Sequence, residues 1–110
     1  MYDEGRGVDQ DDKAAFIWYT KAAEQGLASA QYNLGNMYRQ GRGVARDDKA
    51  AVKWSRKAAE QGVATAQANL GAMYLLGRGV AQDDKKAVEW LTKAAEQGDP
   101  KALKALAILK

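Results

Sequence analysis

Asn33-Leu34-Gly35-Asn36-Met37-Tyr38-Arg39-Gln40-Gly41-Arg42-Gly43-Val44 returns 36 residues later as Asn69-Leu70-Gly71-Ala72-Met73-Tyr74-Leu75-Leu76-Gly77-Arg78-Gly79-Val80. Outward from this stretch the same step holds. Gly5-Arg6-Gly7-Val8 opens an earlier copy, Trp18, Trp54 and Trp90 are in register, and three Lys-Ala-Ala-Glu-Gln-Gly blocks end at Gly26, Gly62 and Gly98. A fixed period of this size means one supersecondary unit stacked on copies of itself. The 110 residues suffice for a single domain, divided as a partial unit 1–26, full units 27–62 and 63–98, and a partial unit or cap 99–110.

Within the unit, Ala30, Leu34, Met37 and Tyr38 recur at helical spacing and define an amphipathic helix over 28–40. Gly35 lies beside that stripe, at a cost of roughly 1 kcal/mol against alanine, offset if another helix must come close. Gly41 stands where a left-handed residue closes a helix. A second helix opens at Asp47 or Asp48, whose carboxylates can accept from the free N–H groups of the first turn. It carries Ala51, Trp54, Ser55 and Ala58 on its buried side, the alanines allowing close packing and Trp54 filling the gap to the next unit. The register predicts helices near 11–25, 28–40, 47–61, 64–76, 83–97 and 100–109, with Asp99 and Pro100 starting the last. No single hairpin can bury its own apolar face, so units must stack.

Composition narrows function. With no cysteine or histidine, disulfides, thiolate nucleophiles and imidazole or thiolate zinc sites are excluded. The paired aspartates at 11–12, 47–48 and 83–84 fall at equivalent helix starts, where capping and the dipole account for them without catalysis or metal binding. Gly-Arg-Gly lacks a full phosphate-loop fingerprint and faces aspartates, so it reads as a structural turn. The three tryptophans read as core. No catalytic residue, metal or cofactor is expected. A net charge of +3, with basic residues alternating with acids on outer faces, does not make the basic stripe that nucleic acid requires. No apolar run approaches a membrane span, and no membrane insertion is expected. Met1-Tyr2 is in register with Met37-Tyr38, so the chain is expected to be a piece of a longer protein that starts near the end of a first helix.

Asn33-Leu34-Gly35-x-x-Tyr38, Gly41-x-Gly43-Val44, Asp47, Ala51, Trp54 and Lys57-Ala58-Ala59-Glu60-Gln61-Gly62 together resemble the Sel-one-like repeat (SLR) family, a relative of the tetratricopeptide repeat. The resemblance implies an all-α, right-handed superhelical solenoid of antiparallel helix hairpins, with first helices lining the concave face. It also implies a non-catalytic adaptor or scaffold of bacterial origin; the chain is expected to be soluble, its compartment, bacterial cytoplasm or periplasm, left open. One branch of that family is cysteine-rich and described as binding penicillin-like compounds, so the resemblance implies, as the weaker alternative, binding or hydrolysis of β-lactams or cell-wall fragments; this chain departs from that branch in having no cysteine.

On a helical wheel, the face of the first helices opposite Leu34 carries Tyr32, Asn36 and Arg39, flanked by Asn33 and Gln40. Its counterparts in the next copy are Ala72 and Leu75, flanked by Asn69 and Leu76. The last helix offers Lys101, Lys104 and Ile108 there. Tyr32, Asn33, Asn36, Arg39, Gln40, Asn69, Ala72, Leu75 and Leu76 are the candidate surface for another protein or peptide. Asn33 and Asn69 can hold an extended backbone or brace an adjoining helix, and Leu75 can bind a partner or pack between repeats. A rival role is self-association: the first helix, with Phe16, Ile17, Trp18 and Tyr19, and the last, with Leu103, Leu106 and Leu109, can pair into a homodimer.

Overall fold

The computed structural model describes the backbone of residues 4–109 and side chains from Asp12 to Leu109. Six helices follow one another, with no strand among the described residues: α1 (Glu4–Glu24), α2 (Ala28–Gln40), α3 (Asp48–Glu60), α4 (Ala64–Leu76), α5 (Asp84–Glu96) and α6 (Pro100–Leu109). α2 with α3, and α4 with α5, form the repeat hairpins. A tight two-residue turn leads from each second helix into the next first helix. The stack is a solenoid 46 Å long and 28 Å across.

The expected start signals of α3, α5 and α6 take their places, whereas Asp11 and Asp12 lie inside α1 and start no helix. Asp47 and Asp83 are extended residues whose side chains accept from Ala50 N–H (3.1 Å) and Lys86 N–H (3.0 Å), and Asp99 caps α6 through Ala102 N–H at 3.0 Å. α2 and α4 close on Gly41 and Gly77, both left-handed, and the Gly41 N–H donates to the Met37 carbonyl at 2.8 Å.

The first copy departs from the pattern. The expected turn at Gly5-Arg6-Gly7 is helical, and α1 begins at Glu4 rather than near residue 11. In later copies this loop is held by two things: a finished helix to cap, and a preceding second helix to dock on. In α1 the same residues instead continue the helix, which satisfies their backbone groups internally.

Close approach explains the glycines inside α2 and α4. A Cβ on Gly71 would lie 2.7 Å from Leu91 Cγ, and one on Gly35 2.8 Å from Ser55 Oγ. Leu91 occupies in its repeat the place of Ser55. In the last copy Ala107 stands where Gly71 would, and it is exposed, with no second helix packed over it. Leu34, Leu70, Ala51, Ala58, Ala66, Ala87, Ala94 and Ala102 are sealed from solvent between the helices.

Two expectations about tryptophan need correction. Trp54 is buried (8% exposed), but against Ala23, Ala30 and Leu34, so it fills the gap to the preceding unit rather than the following one. Trp90, half-buried, packs in the same direction onto the cluster around Ala51, Val52 and Ala59. Trp18 is not core: it is 73% exposed, and no second helix precedes it among the described residues.

Between units, two polar ladders join the apolar contacts. The Gln61 amide donates to the Gly26 carbonyl (3.0 Å) and to Gln31 Oε1 (2.8 Å), while Gln31 donates to the Ala23 carbonyl. Gln97, Gln67 and Ala59 repeat the arrangement one unit on. The loop arginines form the second ladder: Arg42 reaches Asp12 at 3.6 Å and Arg78 reaches Asp48 at 3.6 Å.

A candidate partner-binding groove

The face shared by α2 and α4 begins with a short amide network. Arg39 lies one turn beyond Asn36, and its Nη2 donates to Asn36 Oδ1 at 3.0 Å. Asn69 Nδ2, from α4, donates to the same oxygen at 3.2 Å and ties the two first helices together. Asn33, its counterpart, donates to the Ser29 carbonyl of its own helix at 2.9 Å. Arg39 Nε is buried and donates to no acceptor among the described residues.

Below this network opens a cavity of about 100 Å³, lined by Arg39, Asp48, Asn69, Ala72, Met73, Leu76 and Arg78. Four candidate residues, Arg39, Asn69, Ala72 and Leu76, therefore meet at one place, with Asn36 bonded beside them. Leu76 is 64% exposed at its mouth. The other four lie elsewhere. Tyr32 and Leu75 are half-buried against the inter-repeat core, Asn33 is bonded within α2, and Gln40 accepts from Arg42 Nη1 at 3.0 Å in the loop.

Sequence reasoning missed Asp48, Met73 and Arg78 as wall residues. Asp48 holds Arg46 (3.3 Å) on one side and Arg78 of the next loop on the other. A signal for it existed: in the later pairs only the first aspartate, Asp47 or Asp83, serves as a cap, and the second aspartate recurs thirty positions before a loop arginine, at Asp12–Arg42 and Asp48–Arg78. Such half-exposed ion pairs contribute at most about 1 kcal/mol each. Their effect is to set the loop's place at the groove edge.

Rigid helical hairpins stacked at a fixed period, with a side-chain groove across successive first helices, define an α-solenoid of the kind that presents a recognition surface. The Sel1 repeat is the description of the family whose model matches residues 1–27, 28–63 and 64–99, and the chain belongs to that family. Its solved relatives share the fold. The chain is 48% identical to c5321, a protective antigen of uropathogenic Escherichia coli with an SLR fold, at a TM-score of 0.90 over 96% of this chain. It is 47% identical to a Sel1 repeat protein from Oxalobacter formigenes, at a TM-score of 0.79 over 82% of this chain. Helicobacter pylori cysteine rich protein B is 28% identical, with a TM-score of 0.76 over 82% of this chain. A putative sel1-like repeat-containing protein of Acanthamoeba polyphaga mimivirus, L21, matches at 54% identity over 35 residues, 32% of this chain. The chain spans 22%, 37% and 68% of the three solved chains respectively, and 7% of the viral protein. Among the described residues no helix is long and apolar enough to cross a membrane.

Proposed function

We propose that this chain is a non-catalytic protein-interaction module that holds a peptide or helix of a partner in the groove between α2 and α4. The supporting observation is the convergence of Arg39, Asn69, Ala72 and Leu76 on one cavity. Exposed leucine and alanine beside fixed polar groups offer an apolar anchor with a hydrogen-bonding rim, the pattern of an energetic hot spot. The rim is preorganised, since Asn36 already orients both Arg39 and Asn69, so little side-chain entropy is lost on binding. The test is affinity capture with the native chain and with Ala72→Trp, which fills the cavity from an exposed helix position. Loss of the captured protein by the variant, with helicity intact by circular dichroism, supports the groove. Equal capture by both moves the site elsewhere.

A second role, self-association, is favoured by the two ends. Ile17 and Trp18 are exposed at one end, and a shallow depression lined by Val88, Thr92, Leu103 and Leu106 opens at the other. Because Trp54 and Trp90 each cover the preceding unit, Trp18 of one copy is suited to the final hairpin of another, in a head-to-tail contact. Light scattering should then show a dimer or larger species that Trp18→Ser returns to monomer; a monomeric native chain at high concentration rejects it.

A further inference from the structure

The first helices of the repeats carry a sign. Three of the 17 basic residues, Arg39, Lys101 and Lys104, and none of the 14 acidic ones lie within α2, α4 and α6. The remaining 14 basic and 14 acidic residues balance, so the whole formal charge of +3 resides on the first helices. The second helices and loops, with their aspartate caps and Lys-Ala-Ala-Glu blocks, are neutral as a set.

Two of these charges are not explained by helix stability. Lys101 stands in the first turn of α6, at the positive end of the helix dipole, where a base is unfavourable. Lys104 occupies the position held by Tyr32 and Ala68 in the earlier copies, both of which pack between repeats, yet it is exposed. At the other end of the row, Arg39 keeps its buried Nε without an acceptor. Arg78 adds a second guanidinium to the cavity wall, and the single carboxylate there, Asp48, is already shared between Arg46 and Arg78.

We infer that the groove takes an extended, carboxylate-rich peptide segment. One acidic side chain lies at Arg39, an apolar side chain sits on Ala72 and Leu76, and a further acidic group lies at Lys101 and Lys104. This rests on the groove being the binding surface, and adds the chemistry of its occupant. Neighbouring helix axes about 9 Å apart make the step from α2 through α4 to α6 at least about 18 Å. An extended chain covers that in about six residues. Opposite charge along the row speeds encounter and selects partners more than it deepens affinity. A peptide suits the row better than nucleic acid, because no exposed aromatic side chain lies on α2, α4 or α6 to stack a base.

The test uses a phage-displayed library of random decapeptides selected on the native chain. Synthetic peptides of the enriched sequences are then measured by fluorescence anisotropy against the native chain, Ala72→Trp and the double variant Lys101→Gln, Lys104→Gln. Enrichment of Asp and Glu on both sides of an apolar residue is expected. Binding should weaken about five- to tenfold in the double variant, weaken as salt is raised, and be lost in Ala72→Trp. Lys53→Gln with Lys57→Gln on α3 should leave it unchanged. Enriched peptides without an acidic excess that are still lost in Ala72→Trp overturn the carboxylate assignment but keep the groove. Absence of any enrichment, or peptides indifferent to Ala72→Trp, overturns both. Displacement of the acidic peptide by an oligothymidine of equal charge would reassign the row to nucleic acid.

Discussion

Replacing Gly79 by alanine should destabilise the chain far more than replacing Gly62, although both residues hold a left-handed backbone. Gly62 has φ of +94° and Gly79 of +74°, so each alanine bears a similar conformational penalty of about 1–2 kcal/mol. Reduced freedom of the unfolded chain returns about 0.4–1 kcal/mol in both. A Cβ on Gly62 meets nothing within 4 Å, leaving a net cost of about 1 kcal/mol. A Cβ on Gly79 would instead overlap the Asp48 carbonyl and lie 3.0 Å from Val52 Cγ2. Backbone cannot rotate away as a side chain can. The loop must therefore lift off α3, weakening the Arg78–Asp48 pair and the packing of Val80 against the core. Repairing such an overlap by backbone shifts adds about 1–3 kcal/mol, for a total of about 2–4 kcal/mol. Urea denaturation followed by circular dichroism at 222 nm measures both variants against the native chain. Equal destabilisation of the two would refute the claim that each loop docks on the preceding second helix.

Three further outcomes follow from the same contacts. Trp54→Ala should cost about 3–5 kcal/mol of unfolding free energy while Trp18→Ala stays within about 0.5 kcal/mol, both read by chemical denaturation, because only Trp54 has a preceding unit to pack on. Gly71→Ala should destabilise despite the roughly 1 kcal/mol gain in helix propensity, since its Cβ would meet the buried Leu91, whereas Gly35→Ala, facing the smaller Ser55, should be nearer neutral by thermal melting. Gln67→Leu removes the acceptor of Gln97 and leaves the buried Ala59 carbonyl without its side-chain donor, and should cost about 1–3 kcal/mol by urea titration.

The period made most of the fold legible. Four of the six helices match the expected ranges to within a residue at each end, namely α2, α3, α4 and α5, and α6 matches its range as well, because caps, stripe and terminator recur with the same step. α1 did not follow: its Gly5-Arg6-Gly7 is helical, where the same residues turn in the later copies. The tryptophans show the same limit: one residue type at one register is buried in Trp54, half-buried in Trp90 and exposed in Trp18, according to what precedes it. At the groove, the helical wheel found Arg39, Asn69, Ala72 and Leu76, which share a face with their own neighbours along a helix. It could not find Asp48 or Arg78, which reach the cavity from a helix start and a loop thirty residues apart. Nor could it separate Leu75, turned toward the core, from Leu76 beside it at the mouth.

The central claim is that partners meet this chain on the joined face of α2 and α4. Its most direct test is amide chemical-shift mapping of the isotopically labelled chain, titrated with the binding segment of a captured partner. The account predicts shifts concentrated at Asn36, Arg39, Asn69, Ala72, Leu76 and Arg78, with the side-chain amides of Asn36 and Asn69 among the largest. Shifts confined to the outer faces of α3 and α5, or to Trp18 and α6, would contradict it.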